Sequence, residues 1–481
     1  MMGVITSRRR KRLTGPEDEN AKPLPEGPPG YPLLGHLHLF RGRAVPNVFQ
    51  MINDWAKDYG KIYPLKFGPK TMYILNGYDC IDEVFNHPDV DGRSQSHTFA
   101  AALGEGKGPA SASGKSWSCQ RHYAIGFFKK ASEYLDQAVA DETKIIVQRL
   151  TDQSQDSIDI QRDLYRPALY NILTKITFGK RLDYSSEDFK VLVEAMDTVF
   201  TQHGPATLYY SLNLPFGSPA EIKRKLSGFK VLINKLIKER KHYLANESAT
   251  PSCYIDGYLL MQQNNSESLG HHHFTDDNLV MAAFEMFLGG TNVPKNLLSS
   301  VLVYLINNPK VQVKCQTEID SVLGKSSPTY EDRNRLPYLQ ATVAECARLA
   351  NVTPLGVPRV ATKDVSFQGY RFPTGTTFMS NLNSIMMDPQ IFPEPEKLKP
   401  ERFLDAEGKY HRPKELIPLG MGMRSCIGEQ LAWRELFVIT CSVLQKFTLK
   451  TPDGHETPSV TTGTTGVARS PLPFRVRVTE R

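Results

Sequence analysis

Pro418-Leu419-Gly420-Met421-Gly422-Met423-Arg424-Ser425-Cys426-Ile427-Gly428-Glu429, followed by a helical pattern over 430–447, is the stretch from which the rest of the chain is read. Glycines at 420, 422 and 428 let the backbone approach something flat and large, and the loop delivers one cysteine to the start of a helix. A thiolate there is expected to be stabilised by the helix dipole and by unpaired N–H groups, which lower its pKa and suit it to a metal. Arg424 adds a positive charge suited to an anionic cofactor. Taken alone, the loop leaves a second reading open, a buried free cysteine after an ordinary turn.

The remainder of the 481 residues narrows the choice of partner. Lys plus Arg at 58 against Asp plus Glu at 51 leaves a surplus of 7, too small for a dedicated nucleic-acid binder. Seven cysteines, scattered and never in C-x-x-C spacing, argue against a disulfide framework and a zinc ribbon and favour a reducing compartment. No run approaches the ~18 apolar residues of a membrane-spanning helix. His271-His272-His273 lacks the i, i+4 spacing that holds a metal from one helix face.

Residues 1–23 are polar, carry the basic cluster Arg8, Arg9, Arg10, Lys11, Arg12, and read as a flexible segment. A Pro/Gly-rich linker over 24–32 starts the folded body. Strand-like runs at 61–67 and 71–75 flank a Gly68-Pro69-Lys70 turn. Helical patterns follow at 115–128, 132–150, 160–177, 186–201, 220–246, 275–307, 309–323 and 336–349, and strands return at 365–378, 448–450 and 474–478. The expectation is a mainly α protein with small β-sheets in one large domain.

Gly420-x-Gly422-x-Arg424-x-Cys426-x-Gly428 resembles the haem-binding loop of the cytochromes P-450, and its continuation from Glu429 to Phe437 resembles the microsomal animal branch. Glu345-Cys346-Ala347-Arg348 is similar to that family's E-x-x-R helix, Pro400-Glu401-Arg402-Phe403 to its P-E-R-F segment, Trp117-x-x-x-Arg121 to its third conserved helix motif, and 24–32 to its proline-rich hinge. The resemblance implies the single-domain cytochrome P-450 fold, with a haem-thiolate catalytic domain over 24–481. It implies haem b as cofactor, with Cys426 as the axial thiolate that favours O–O cleavage. Gly420, Gly422 and Gly428 would shape the cofactor loop, and Trp117, Arg121, Arg359 and Arg424 would meet the propionates. Glu345, Arg348 and Arg402 would form a buried structural charge network.

Two departures from the family stand out. Leu419 occupies a position usually held by Phe, which makes the packing beside the thiolate smaller. More consequentially, the helix over 275–307, about 50 Å long at 1.5 Å per residue, has the centre Phe287-Leu288-Gly289-Gly290-Thr291-Asn292-Val293-Pro294. Monooxygenases of the family place an acid and an alcohol where this chain has Asn292 and Val293. Neither replacement delivers protons in the usual way. Pro294 lacks the N–H that would bond the Gly290 carbonyl, so a kink over the iron is expected, with Gly290 and Asn292 offering a polar site there. Two activities compete. One is a monooxygenase of a lipophilic molecule such as a steroid or fatty acid, using O2 and NADPH through a flavoprotein reductase. The other is a lipid hydroperoxide or endoperoxide isomerase or lyase that needs no external electrons.

The resemblance places the substrate pocket at Phe99, Leu103, Phe284, Phe287, Leu288, Val352, Leu355 and Thr464, mostly apolar and suited to a lipophilic ligand. Lys115, Arg121, Lys129, Lys130, Arg412, Lys414, Arg434 and Lys446 fall in segments resembling the proximal face and would steer an acidic reductase. The basic run before the hinge suggests peripheral contact with the cytoplasmic face of the endoplasmic reticulum membrane, with no anchor in this chain; a soluble cytoplasmic protein is the alternative. No nucleic-acid partner is expected.

Overall fold

A computed structural model describes residues 22–36, 48–93, 106–153, 157–201, 219–246, 250–263, 273–460, 463–465 and 468–481. The chain opens with helix α1 (Val48–Tyr59), the hairpin β1 (Ile62–Phe67) and β2 (Lys70–Asn76), and α2 (Tyr78–Phe85). Next come α3 (Gly114–Lys130), α4 (Ser132–Asp152), the short strand β3 (Ser157–Ile158) and, after a single π-helical stretch, α5 (Arg166–Phe178). Helices α6 (Glu187–Thr201), α7 (Pro219–Leu244) and α8 (Tyr254–Gln263) lead to α9 (Asp276–Gly290), α10 (Asn292–Asn307), α11 (Pro309–Leu323) and α12 (Pro337–Ala350). Strands β4 (Arg359–Val360), β5 (Val365–Phe367), β6 (Tyr370–Phe372) and β7 (Thr377–Asn381) precede α13 (Asn383–Met386) and α14 (Glu429–Lys446). The chain closes with β8 (Phe447–Lys450), β9 (Gly463–Thr465), β10 (Arg469–Pro471) and β11 (Val476–Glu480).

The largest sheet has the order β1-β2-β7-β4. β1 and β2 pair antiparallel across the Gly68 turn, whereas β2 runs parallel to β7 with Tyr73 opposite Phe378, so the sheet joins the two ends of the helical body. Met72 to Asn76 are all buried because both sides of β2 are covered, one against α1 and the other against the aromatic cluster of Tyr73, Phe372 and Phe378. The main core lies between the helices, and α10, α12 and α14 run through it with few exposed positions. Long apolar or small-residue runs such as Leu436 to Leu444 suit helices covered on every side.

The long helix expected over 275–307 is two helices. Thr275 caps the first, its side chain accepting from Asn278 N–H at 3.2 Å, with Asp276 and Asp277 on the positive end of the dipole. The helix stops at Gly290, and Thr291 adopts φ −111°, ψ −63° while its hydroxyl donates to the Phe287 carbonyl at 2.7 Å. The break falls at Thr291, in the turn between Pro294 and the Gly290 carbonyl that would have been its i−4 acceptor, where the kink was expected. Pro294 is in the first turn of α10, where its missing N–H has no intrahelical partner to lose.

Candidate functional site

The cysteine loop is pinned from several sides. Cys426 N–H donates to the Leu419 carbonyl at 3.0 Å, and Gly422 takes φ +71° against α2, where a Cβ would lie 2.3 Å from the Phe85 carbonyl oxygen. From α3, Arg121 reaches over to donate to the Ser425 carbonyl at 2.7 Å. Cys426 keeps accessible surface although its sulfur lies deep in the protein, so the side chain opens onto interior space. Open space also adjoins Gly420 and Gly428 on the loop and Gly289 on α9, where an added Cβ would meet no atom within 4 Å. The expected lowering of the thiol pKa is overturned: burial pushes it up to about 11, outweighing the Gly428 N–H and Arg121. A thiol here becomes a thiolate when a metal ion displaces the proton, not through the helix start alone.

Four guanidinium groups converge beside this loop. Arg424 donates to the carbonyls of Asp91, Ala110 and Ala112 at 2.8, 3.1 and 2.7 Å, and its guanidinium lies 3.8 Å from the Trp117 ring centre. Arg359 bonds the Phe85 carbonyl at 2.5 Å and also the Met421 carbonyl. Arg93, which no sequence motif singles out, donates to the carbonyls of Ala110, Val357 and Pro358. Burial first and mutual repulsion second bring Arg424 down to about 8, Arg359 to about 9 and Arg93 to about 10. Asp91 and Glu285 are the carboxylates that act against this, too few for four buried cations. Among the described residues the buried Trp117 Nε1 has no hydrogen-bond partner. Two further carboxylates would satisfy both deficits, which is what a haem brings.

The α9–α10 break carries the Gly290 and Asn292 singled out in the sequence. Gly289 is exposed, with Glu285, Leu288 and Asn292 partly so. A Cβ on Gly290 would meet the Leu173 side chain of α5 at 3.0 Å, so Gly290 packs against that helix. The Asn292 side chain makes no hydrogen bond among the described residues, leaving its carboxamide available. Phe284 and Phe287 do not line a pocket: both are fully buried against Phe229, and Phe287 also stacks on Tyr170 and Phe178. Val352 and Leu355 are buried in core clusters as well. Thr464 lies on β9 with its side chain, like Phe99 and Leu103, outside the described residues.

On α12, Arg348 donates to Glu345 through Nε at 2.7 Å and Nη2 at 2.8 Å, and reaches the Met386 and Pro395 carbonyls. Arg402 adds a bond to Glu345 Oε1 at 2.8 Å, and the Lys399 N–H a further one at 3.2 Å. Neither Glu345 nor Arg348 is accessible. This network ties α12 to the Pro400–Phe403 turn and to α13.

Sequence reasoning missed three groups. Arg93 follows Asp91-Gly92 without any motif, and only the fold brings it to the others. Glu285 carried a signal, being the single charge among the apolar residues from Leu279 to Leu288. Glu435 on α14 is buried with neither carboxyl oxygen hydrogen-bonded.

An accessible thiol deep in the protein, on a glycine-framed loop beside buried cations short of carboxylates, is the donor set of a haem-thiolate protein. A cytochrome P450 family model matches residues 25–478. The chain is 30% identical over 471 residues to cytochrome P450 2B12 of Rattus norvegicus, covering 95% of this chain and 94% of that protein. It is 29% identical over 440 residues to cytochrome P450 2C3 of Oryctolagus cuniculus, covering 89% and 88%. To cytochrome P450 2J5 of Mus musculus it is 30% identical over 449 residues, covering 90% and 86%. The chain belongs to the cytochrome P450 family. It is a haem-thiolate monooxygenase with haem as cofactor.

Proposed function

We propose that Cys426 is the haem ligand and that Arg93, Arg121, Arg359, Arg424 and Trp117 hold the propionates of haem b in a domain over 24–481. The observation carrying this reading is the accessible Cys426 sulfur deep in the protein, beside four cations short of carboxylates. Haem held by a thiolate supplies the cleavage of dioxygen. The chain's residues exclude bulk water and position the substrate and protons. Asn292 does not titrate, so its carboxamide orients water that carries the protons. The substrate is a lipophilic molecule entering along Leu288 and Gly289, a steroid or fatty acid in kind.

Electrons come from NADPH through a flavoprotein reductase on the face presenting Lys115, Lys129, Lys130, Lys414 and Lys446, which are all exposed. Arg121 and Arg434 leave that set: the first is buried on α3 against the Ser425 carbonyl, and the second is buried against Asp136 and Ser132. Arg412 is held by Glu429 at 2.9 Å. The protein sits at the cytoplasmic face of the endoplasmic reticulum. Supporting contact with lipid, Leu33 crowns a tight turn with φ 63° at 94% exposure, flanked by Tyr31 and Leu34 at 61% and 54%. Among the described residues no helix is long and apolar enough to cross a membrane.

The reading predicts oxidation of a lipophilic substrate that requires NADPH, reductase and oxygen together. Anaerobic consumption of unsaturated fatty-acid hydroperoxides without reductant, and no reductase-dependent oxidation, would contradict it.

A further inference from the structure

Arg469 on β10 is a deep arginine whose side chain finds no acceptor. Arg93, Arg121, Arg348, Arg359, Arg424 and Arg434 each donate to a backbone carbonyl or a carboxylate. The Arg469 backbone is held from two sides: its N–H donates to the Val352 carbonyl at 2.7 Å, and its carbonyl accepts from Asn296 Nδ2 at 3.0 Å. Asn296 lies one turn of α10 beyond Asn292, so β10 is fixed close to the helix break. The guanidinium lies 4.6 Å from the centre of the buried Phe49 ring of α1, which covers its face. Its edge carries five N–H donors and makes no hydrogen bond or ion pair among the described residues. Arg469 is nonetheless partly accessible, so a ligand can reach it.

We propose that Arg469 takes the carboxylate of a fatty-acid-like substrate, its planar fork meeting both oxygens while the acyl chain runs toward Asn292. Among the described residues no carboxylate acts on this guanidinium; Tyr304 is the titratable group beside it, and a tyrosine is neutral at pH 7. The four cations assigned to the haem propionates do not act on it either, so it forms an anion site apart from theirs. Burial holds its pKa below the usual arginine value, in keeping with a group that lacks a counter-charge. A deep cation without an acceptor is costly, and an incoming carboxylate offsets that cost through paired, charge-assisted bonds. A neutral steroid offers no such group, so Arg469 favours the fatty acid of the two substrate kinds.

The proposal rests on the reading of a haem-thiolate protein with a lipophilic substrate, and its test needs no turnover. Resting holoprotein is titrated by calorimetry with decanoate and with decan-1-ol, the neutral ligand of the same chain length. Decanoate should bind about tenfold or more tightly than the alcohol. Arg469→Gln should abolish that preference while leaving the alcohol's affinity unchanged, and Arg469→Lys should restore part of it. Equal affinities in the unmutated protein would overturn the proposal even if Arg469→Gln fails to load haem. A Gln variant that weakens both ligands alike would reduce Arg469 to a structural residue, and one that keeps the full preference would put the carboxylate on another cation. Either result overturns the proposal. Because no electrons are supplied and calorimetry does not read the iron, a failure of NADPH-dependent oxidation leaves the binding answer unchanged.

Discussion

The Arg424 guanidinium stacks 3.8 Å from the centre of the Trp117 ring, and the indole Nε1 beside it is buried without a partner. Cation and donor thus face the same place from two elements, the cysteine loop and α3. Trp117→Phe keeps a ring beneath Arg424 and removes only the donor. It should weaken haem binding by about 1.5–3 kcal/mol, roughly ten- to a hundredfold. Haem transfer to an excess of an acceptor apoprotein measures this; an unchanged transfer rate would place the indole outside the cofactor shell.

Arg348 is wholly inaccessible, and its guanidinium satisfies Glu345 and two backbone carbonyls at once. Arg348→Ala should cost about 3–5 kcal/mol, because it breaks a buried ion pair and leaves Glu345 Oε2 without its donor, Arg402 and the Lys399 N–H serving only Oε1. Low haem content and a lower midpoint in denaturant should follow. A fully haem-loaded variant of unchanged stability would remove the network from the account.

Glu435 gives a pH signature. Burial raises its carboxyl pKa well above the usual carboxylate value, so the folded state holds a proton that the unfolded chain releases above pH 4.5. Its contribution to stability is fully present below that pH and declines as pH rises toward the folded-state pKa. Denaturant unfolding at pH 5 and pH 8 should show the unmutated protein losing stability across that interval, and Glu435→Gln losing less. Parallel losses in the two proteins would mean that Glu435 has found a partner.

Sequence-local chemistry was the legible part. The E-x-x-R spacing puts both charges on one helix face, the W-x-x-x-R spacing does the same on α3, and the glycine loop declares its cysteine. Orientation within uniformly apolar stretches was not legible. Every residue around Phe284 and Phe287 is apolar except Glu285, so periodicity could not say which face meets the core. The kink was legible in Pro294, which deprives the Gly290 carbonyl of its i+4 donor, whereas the full division into two helices at Thr291 was not. The thiol pKa was misjudged because helix-start effects are local and readable, whereas burial of Cys426 is a property of the assembled fold.

The broken helix has a kinetic consequence. With Asn292 and Val293 in place of an acid and an alcohol, oxygen use should be poorly coupled to product and should release peroxide. Asn292→Asp with Val293→Thr should restore part of a relay whose groups typically contribute about 10²–10⁴-fold, lowering peroxide release by roughly tenfold. Peroxide and product measured per NADPH consumed decide this; a double variant that leaks as before would assign proton delivery elsewhere.

The ferrous carbon monoxide spectrum tests the central assignment most directly. Freshly prepared protein should give the strongly red-shifted Soret band of a thiolate complex, and Cys426→Ala should lose it while the other six cysteines remain. An unshifted, histidine-type band in the unmutated protein, or a red-shifted band that survives Cys426→Ala, would contradict the account.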